Sequence, residues 1–313
     1  MKKNLLHASL AFLFYTALSP MTATAATLEP DCDRACLYRI ADAYFDAMVK
    51  KDVSSAPLAD DVRFSENGIL LNVGDGLWNT ISGVRGYDLK VADPATGQVA
   101  RIDVVEEHGV PGIIAARFKV NNGLITEIET VLTRRIDNSP FPVTDGYDTP
   151  HPLWSETVPV ERRNQRARMI SVADGYFDTI QLNDGTLFTN FSEDCNRVEN
   201  GLLTTNTEIP GYDIAQMGCA EQFELGQYIY DDRLRDRRYP LVDEEKGVVL
   251  SAAFMDHSGS VYEFEWTDGT PQTSIFFYPH SFILIELFKV EDNAIRRVEA
   301  VFASMPYNMP SVW

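Results

Sequence analysis

The sequence predicts an α+β protein made of two copies of one module, and three observations predict it. The first is an internal repeat. Ala41-Asp42-Ala43-Tyr44-Phe45-Asp46 returns as Ala173-Asp174-Gly175-Tyr176-Phe177-Asp178, and Glu66-Asn67-Gly68 returns as Glu199-Asn200-Gly201. Lys119-Val120 with Glu129 returns as Lys289-Val290 with Glu299. The order is kept while the offset grows from 132 to 133 to 170 residues, as insertions in the second copy would produce. The second observation is that apolar periodicity changes within each copy from helical to strand-like spacing. The third is length: 313 residues suit two domains at roughly 100–200 residues each.

Each copy opens with an amphipathic helix. Leu37, Ile40, Ala41, Tyr44, Phe45 and Met48 follow the i, i+3, i+4, i+7 spacing, and Ile170, Ala173, Phe177 and Ile180 repeat it. Residues 56–61 and 188–194 show no regular pattern, and the Glu-Asn-Gly turn follows them. Short helices are predicted over 75–81 and 219–231. The rest of copy one reads as strands over 99–107, 113–120 and 124–132, divided by the turn signals His108-Gly109 and Asn122-Gly123. Copy two answers with 248–256, 281–290 and 295–302. Asp93, Gly97 and Gly109 match Asp243, Gly247 and Gly259 at an offset of 150. The added length of copy two falls at 260–279 and reads as a long hairpin or loop. Between the copies, residues 137–164 hold Pro140, Pro142, Pro150, Pro152 and Pro159, which predicts an ordered, extended linker. Helices followed by an antiparallel meander make an α+β pattern.

The chain begins like an exported protein. Lys2 and Lys3 precede a mostly apolar run over 5–18, too short to span a bilayer, and Ala23-Thr24-Ala25 offers small residues for cleavage. An uncleaved anchor is the alternative. Without the two lysines the net charge moves from −19 to −21, which makes nucleic acid and anionic lipid surfaces poor partners and says little about a neutral small molecule. The four cysteines, Cys32, Cys36, Cys195 and Cys219, form an even set, which favours two disulfides in an exported chain. Three connectivities are possible; Cys195–Cys219 with a local Cys32–Cys36 link is the expected one. No Cys/His cluster has zinc spacing, so no metal is expected.

A first helix ending in Tyr-Phe-Asp, the Glu-Asn-Gly turn, Gly74-Asp75-Gly76-Leu77-Trp78 and a closing hairpin ending in Glu-x-Val together resemble the SnoaL-like branch of the nuclear transport factor 2-like superfamily. Arg235-Asp236-Arg237-Arg238-Tyr239-Pro240 and Pro306-Tyr307-Asn308-Met309-Pro310 resemble a tandem, secreted subgroup of largely unassigned function. The resemblance covers nearly the whole mature chain. It implies two cone-shaped folds, each a curved antiparallel sheet wrapped around N-terminal helices with a pocket at the open end. The expected organisation is a signal peptide at 1–25, a first SnoaL-like domain at 26–136, a linker at 137–164 and a second domain at 165–313. Members of such a family include isomerases, dehydratases, cyclases, epoxide hydrolases and carbon–carbon lyases, and others only bind, so the fold does not settle function.

Acid–base work in an apolar pocket needs a His or a carboxylate with a shifted pKa. His108, beside Glu106 and Glu107, is one candidate base, against a solvent-facing turn residue. His257, after Asp256, lies near the equivalent position in copy two. His151 and His280 read as structural. Glu66 and Glu199 recur at the same turn and could be pocket carboxylates, one per copy; Asn-Gly beside them is turn chemistry, since both tolerate positive φ. Glu129 and Glu299 also match. On a regular strand Glu129 shares a face with Ile125, Glu127 and Val131, and the site between the two sheets suits it better than the pocket. Trp78, Tyr87, Phe64 and Phe118 could form an aromatic wall for a planar ligand or an ordinary core. Arg235, Arg237 and Arg238 could pair with Asp231, Asp232, Asp243 and Glu244, or Arg237 could clamp a substrate carboxylate.

No G-x-S-x-G, P-loop, H-E-x-x-H or correctly placed G-x-G-x-x-G is present, so no cofactor is expected. The expected function is an exported, cofactor-independent lyase, dehydratase or isomerase acting on a hydrophobic, aromatic or polycyclic molecule. His108 with Glu66 serves copy one, and Asp256 with His257 serves copy two. The alternative is a non-catalytic periplasmic binding or scaffolding protein, and a third possibility is that copy two docks on copy one in place of a homodimer partner.

Overall fold

The computed structural model describes residues 32–134 and 144–313. The expected signal peptide and residues 137–143 of the expected linker lie outside the described residues. The first unit runs α1 (Arg34–Lys50), β1 (Leu58–Glu66), β2 (Ile69–Leu71), α2 (Leu77–Thr80), β3 (Ile81–Val84), β4 (Leu89–Asp93), β5 (Gln98–Glu107), β6 (Val110–Asn121) and β7 (Leu124–Arg134). The second runs α3 (Arg166–Leu182), β8 (Asn190–Glu199), β9 (Leu202–Leu203), α4 (Cys219–Glu224), β10 (Arg233–Asp243) and β11 (Val248–His257). It ends with β12 (Glu263–Glu265), β13 (Pro271–Thr273), β14 (His280–Glu291) and β15 (Ala294–Met305).

The two sheets share one plan. The first is ordered β2-β1-β7-β6-β5, with β3 and β4 both pairing β5; the second is β10-β11-β14-β15-β8-β9. Both are mixed rather than antiparallel, because β1 lies parallel to β7 and β8 lies parallel to β15. The protein is therefore α+β with mixed sheets. The expectation of irregular chain over 56–61 and 188–194 fails here: β1 and β8 occupy or closely follow those stretches, and their bulged registers hide the alternation in sequence. The strand β10, and its split counterpart β3 plus β4, also went unread, because Arg233–Arg238 is a charged run and Gly83 to Asp88 breaks the other. The 260–279 stretch forms the expected hairpin, β12 with β13.

Local chemistry explains why the repeat survives. Asp33 caps α1 by accepting from Cys36 N at 2.8 Å, and Lys51 in the left-handed region ends it. In each Glu-Asn-Gly turn the Asn has positive φ and reaches across to the last strand. Asn67 donates to Leu132 O and accepts from Leu132 N, and Asn200 does the same with Phe302. A two-sided amide bond of this kind replaces a missing rung of the ladder. Gly175 stands where copy one has Ala43, since a Cβ there would lie 2.5 Å from Phe188 O.

Each sheet presents one face to its own helix and the other to its partner sheet. The helix-side clusters centre on Tyr44, Phe45 and Phe118 in the first unit and on Tyr176, Phe177 and Phe288 in the second. Between the sheets lies a third cluster built from matched positions, including Val91 with Leu241, Ile102 with Ala252, Ile113 with Ile283 and Val131 with Val301. Polar contacts across it are reciprocal. Arg34 bonds Ala92 O and Asp243, while its repeat partner Arg166 bonds Val242 O and Asp93. Surface patch i meeting j while j meets i is the signature of a two-fold interface, here within one chain.

Glu129 and Glu299 sit in this interface, as expected. Glu129 accepts from Arg117 (2.9 Å) and from Arg238 of the second unit. Glu299 accepts from Tyr87 (2.7 Å), Tyr147 and Trp154 (2.8 Å). A bulge after Ile125 turns that residue inward, so it does not share the face of Glu129. Tyr147 and Trp154 show that the linker packs between the units. The disulfides are Cys32–Cys36 and Cys195–Cys219, a pairing suited to an oxidising, extracellular or periplasmic compartment. Among the described residues no helix is long and apolar enough to cross a membrane.

Candidate functional site

The helix-side interiors of the two units hold different polar groups: the first buries the Arg101–Asp103 ion pair beside Phe45. In the first unit the interior is filled: Tyr44 packs edge-to-face against Phe45, Trp78 and Phe118, and Trp78 Nε1 donates to Tyr44 Oη at 2.9 Å. Trp78, Phe64 and Phe118 are thus core, not a ligand wall, and Tyr87 lies instead in the interface, stacked 3.8 Å from Tyr147. Glu66 accepts from Leu77 N at 2.9 Å, which holds the start of α2, and Arg134 stands 3.7 Å away. Burial raises its pKa. His108 is an exposed residue with positive φ at the β5–β6 hairpin tip. Among the described contacts none joins it to Glu66, so the expected copy-one pair is not assembled.

The second interior is polar. Across the sheet, Ser251, Glu286, Ala300 and Glu199 form one row, read from the pairings β11–β14, β14–β15 and β15–β8. At about 4.8 Å per strand, Glu286 and Glu199 stand about 10 Å apart at their Cα atoms with only the Ala300 methyl between them. The same row in the first unit reads Arg101, Ala116, Thr130 and Glu66. Glu286 therefore replaces an alanine and has no structural precedent in copy one.

Glu286 is 4% exposed, and its pKa is pushed up to about 8, first by burial and then by Glu199, against the opposing pull of Arg197 and a hydrogen bond from Tyr176. A carboxyl in this state is protonated at neutral pH and can give up its proton near it, which suits acid–base work. Arg197 stands where copy one has Phe64. It is 1% exposed and lies over the rings of Phe223 (4.7 Å) and Tyr228 (5.0 Å). It donates to Gln222 Oε1 (2.5 Å) and Tyr228 Oη, and weakly to Tyr176 Oη at 3.5 Å. Glu199 is 3.7 Å from Arg197, with its side chain 23% exposed, so the row meets solvent on that side. The Cys195–Cys219 bond ties α4, which bears Gln222 and Phe223, to β8 over this interior.

The other expected residues are placed differently from the sequence reading. Asp256 does not pair with His257, because neighbours on a strand point to opposite faces. It faces the interface and accepts from Arg233 (2.8 Å), Arg235 (2.9 Å) and Ser281 (2.5 Å). Those bonds outweigh its burial and hold its pKa low, so it is a fixed structural anion. His257 lies 2.7 Å from Asp231 but off the hydrogen-bond direction, stacked 4.6 Å from His280 under Phe276 of the insertion. Burial lowers the pKa of His280. Arg237 bonds Asp178 (2.6 Å), Asp174 and Gln181, and Arg235 and Arg238 are engaged with Asp256 and Glu129; none of the three meets the carboxylates expected for them. The described residues hold no group of three metal-ligating side chains.

Glu286, Arg197, Tyr176, Gln222 and Tyr228 went unread. The signal that finds them is the repeat itself: at offsets of 170 and 133, Glu286 and Arg197 stand opposite Ala116 and Phe64. The first unit has unmatched buried charges too, Arg101 and Asp103 opposite Ser251 and Ala253, but they pair with each other at 2.5 Å, whereas among the described residues Glu286 and Arg197 have no ion pair so close. Two voids lie elsewhere: a crevice between the units too narrow for water, beside Glu129, Arg238 and Trp313, and a surface depression of about 140 Å³ beside α3. Neither has comparable chemistry.

A family model described as a domain of unknown function (DUF8021) matches residues 24–132 and 162–302, about four-fifths of the chain. The chain belongs to this family. No curated protein matches the DUF8021 chain. Solved structures similar to part of it include an NTF-2 like protein of unknown function from Burkholderia xenovorans LB400, at 9% identity and TM-score 0.25, covering 34% of this chain and 90% of that one. Others are an LEH-like epoxide hydrolase from M. tuberculosis (19%, TM-score 0.23, 31% and 83%) and AclR from Streptomyces galilaeus (14%, TM-score 0.27, 36% and 95%). Likeness at this level says nothing of the chemistry of the DUF8021 chain.

Proposed function

We propose that the chain is an exported, cofactor-independent lyase, dehydratase or isomerase with its site in the second unit. Glu286 acts as proton donor and Glu199 as its more exposed acceptor. Arg197 and Tyr176 stabilise negative charge that develops on a hydrophobic small molecule, and a hydrolase in which Glu199 activates water is a variant of the same scheme. The observation that supports this reading most is Glu286, a buried carboxyl raised to about 8 in a place where the first unit has Ala116. In this reading each unit is a SnoaL-like cone within a tandem secreted subgroup, released by cleavage after residue 25. The reciprocal interface makes the first unit the built-in partner of the second, so the protein is a monomer that engages neither nucleic acid nor membrane.

A non-catalytic role is the second reading, favoured by the hydrogen bonds that Arg197, Gln222 and Tyr228 make to one another. A metabolite-library thermal-shift screen, followed by turnover assays on every stabilising compound, separates the two. The enzyme reading expects Glu286→Gln to keep the stabilisation and lose turnover by about 10²-fold or more. Wild-type turnover in that variant contradicts it.

A further inference from the structure

We propose that the interior of the second unit binds a small carboxylic acid with an apolar body, its carboxylate held by Arg197. This deepens the acid–base reading above and rests on it. The guanidinium is almost fully buried, yet its charge is incompletely met. Its partners at hydrogen-bond distance are neutral: Gln222 Oε1 and the hydroxyls of Tyr228 and Tyr176. Its Nε has no partner, and Glu199, the carboxylate within 4 Å of it among the described residues, stops at 3.7 Å.

A buried guanidinium left in this state is costly, because burying a charge needs both an opposite charge and satisfied hydrogen bonds. Nothing in the fold demands it, since the matching position in the first unit is Phe64, packed in the core. The rings of Phe223 and Tyr228 lie close to the guanidinium and restrict its orientation. Both Nη2 hydrogens are taken by Gln222 and Tyr228 and one Nη1 hydrogen by Tyr176, so the free Nε–H is the group that would give a carboxylate oxygen a charge-assisted bond. Two features choose a monocarboxylate over a phosphate or a dianion. One cation is present, and Glu199 beside it adds negative charge. The apolar body follows from Phe191 and Phe223, stacked 5.4 Å apart beside Tyr176, with Val298 and Leu284 in the same cluster.

The test uses the full mature chain with benzoate, phenylacetate and hexanoate, each compared with its primary amide, by calorimetry and thermal shift at neutral pH. At least one acid is expected to bind about tenfold or more tightly than its amide. Arg197→Gln is expected to remove that preference, and Arg197→Lys to restore part of it. Because these variants can fail to fold, the Arg197 Nε–H signal of the wild-type protein gives a second reading, and it is expected to shift on adding the acid. Amides binding as tightly as acids, no acid binding at about 10 mM, or an Nε–H signal unmoved at saturation overturns the proposal. Turnover of a neutral compound that disappears in Glu286→Gln would retain the acid–base site while refuting the carboxylate class. Acids that bind through Arg197, with any turnover insensitive to Glu286→Gln, would refute the acid–base reading instead.

Discussion

Replacing Glu286 by Gln removes one titration and keeps the shape, so its effect on stability is calculable. The folded pKa of about 8 lies above the ordinary value of 4.5. The stabilising contribution of the proton is therefore complete below pH 4.5 and lost as pH rises towards 8. Each pH unit in that window is worth about 1.4 kcal/mol, so the wild type loses about 3 kcal/mol by pH 7 and about 5 kcal/mol by pH 8 and above. That is a large share of the roughly 5–15 kcal/mol typical of folded domains. The Gln variant has no proton to lose there. Urea unfolding of both proteins from pH 4.5 to 8.5 should show a difference that widens steadily in favour of Glu286→Gln, while titrations common to both cancel. Parallel stability curves would mean that Glu286 titrates like a solvated carboxyl and would refute the reasoning.

Two further results are expected. Asp93→Ala and Asp243→Ala, which break the reciprocal bonds to Arg166 and Arg34, should each cost about 2 kcal/mol; losses differing severalfold by chemical denaturation would deny the two-fold match. Cys219→Ser opens a loop of 24 residues and should cost about 3 kcal/mol while loosening α4, seen as faster amide exchange at Gln222 and Phe223; unchanged exchange there would count against α4 as the cover of the site.

The parts of the fold that repeat were legible, and for a physical reason. The Tyr-Phe-Asp helix end, the Asn-Gly turn and the matched Glu129 and Glu299 are fixed by local backbone geometry or by a two-fold interface, so both copies keep them. Strands β1 and β8 were hidden because bulges break their alternation, and β10 because Arg233, Arg235, Arg237 and Arg238 spend their charges on partners distant in sequence. The site was hidden by looking for likeness. His108 and Glu66 drew attention as members of matched pairs, whereas Glu286 and Arg197 are informative because they do not match. In this duplicated chain the shared residues report the scaffold, and Glu286 and Arg197, buried in one copy without a close ion pair, are the basis of the proposed chemistry.

The central claim, that the second unit holds a proton poised near neutrality, is tested most directly by carboxyl ¹³C chemical shifts of glutamate-labelled protein titrated from pH 4 to 10. The account predicts one resonance with a midpoint near 8 that is absent from Glu286→Gln and present in Glu66→Gln. If the resonance assigned to Glu286 titrates in the ordinary range near 4.5, the claim is contradicted.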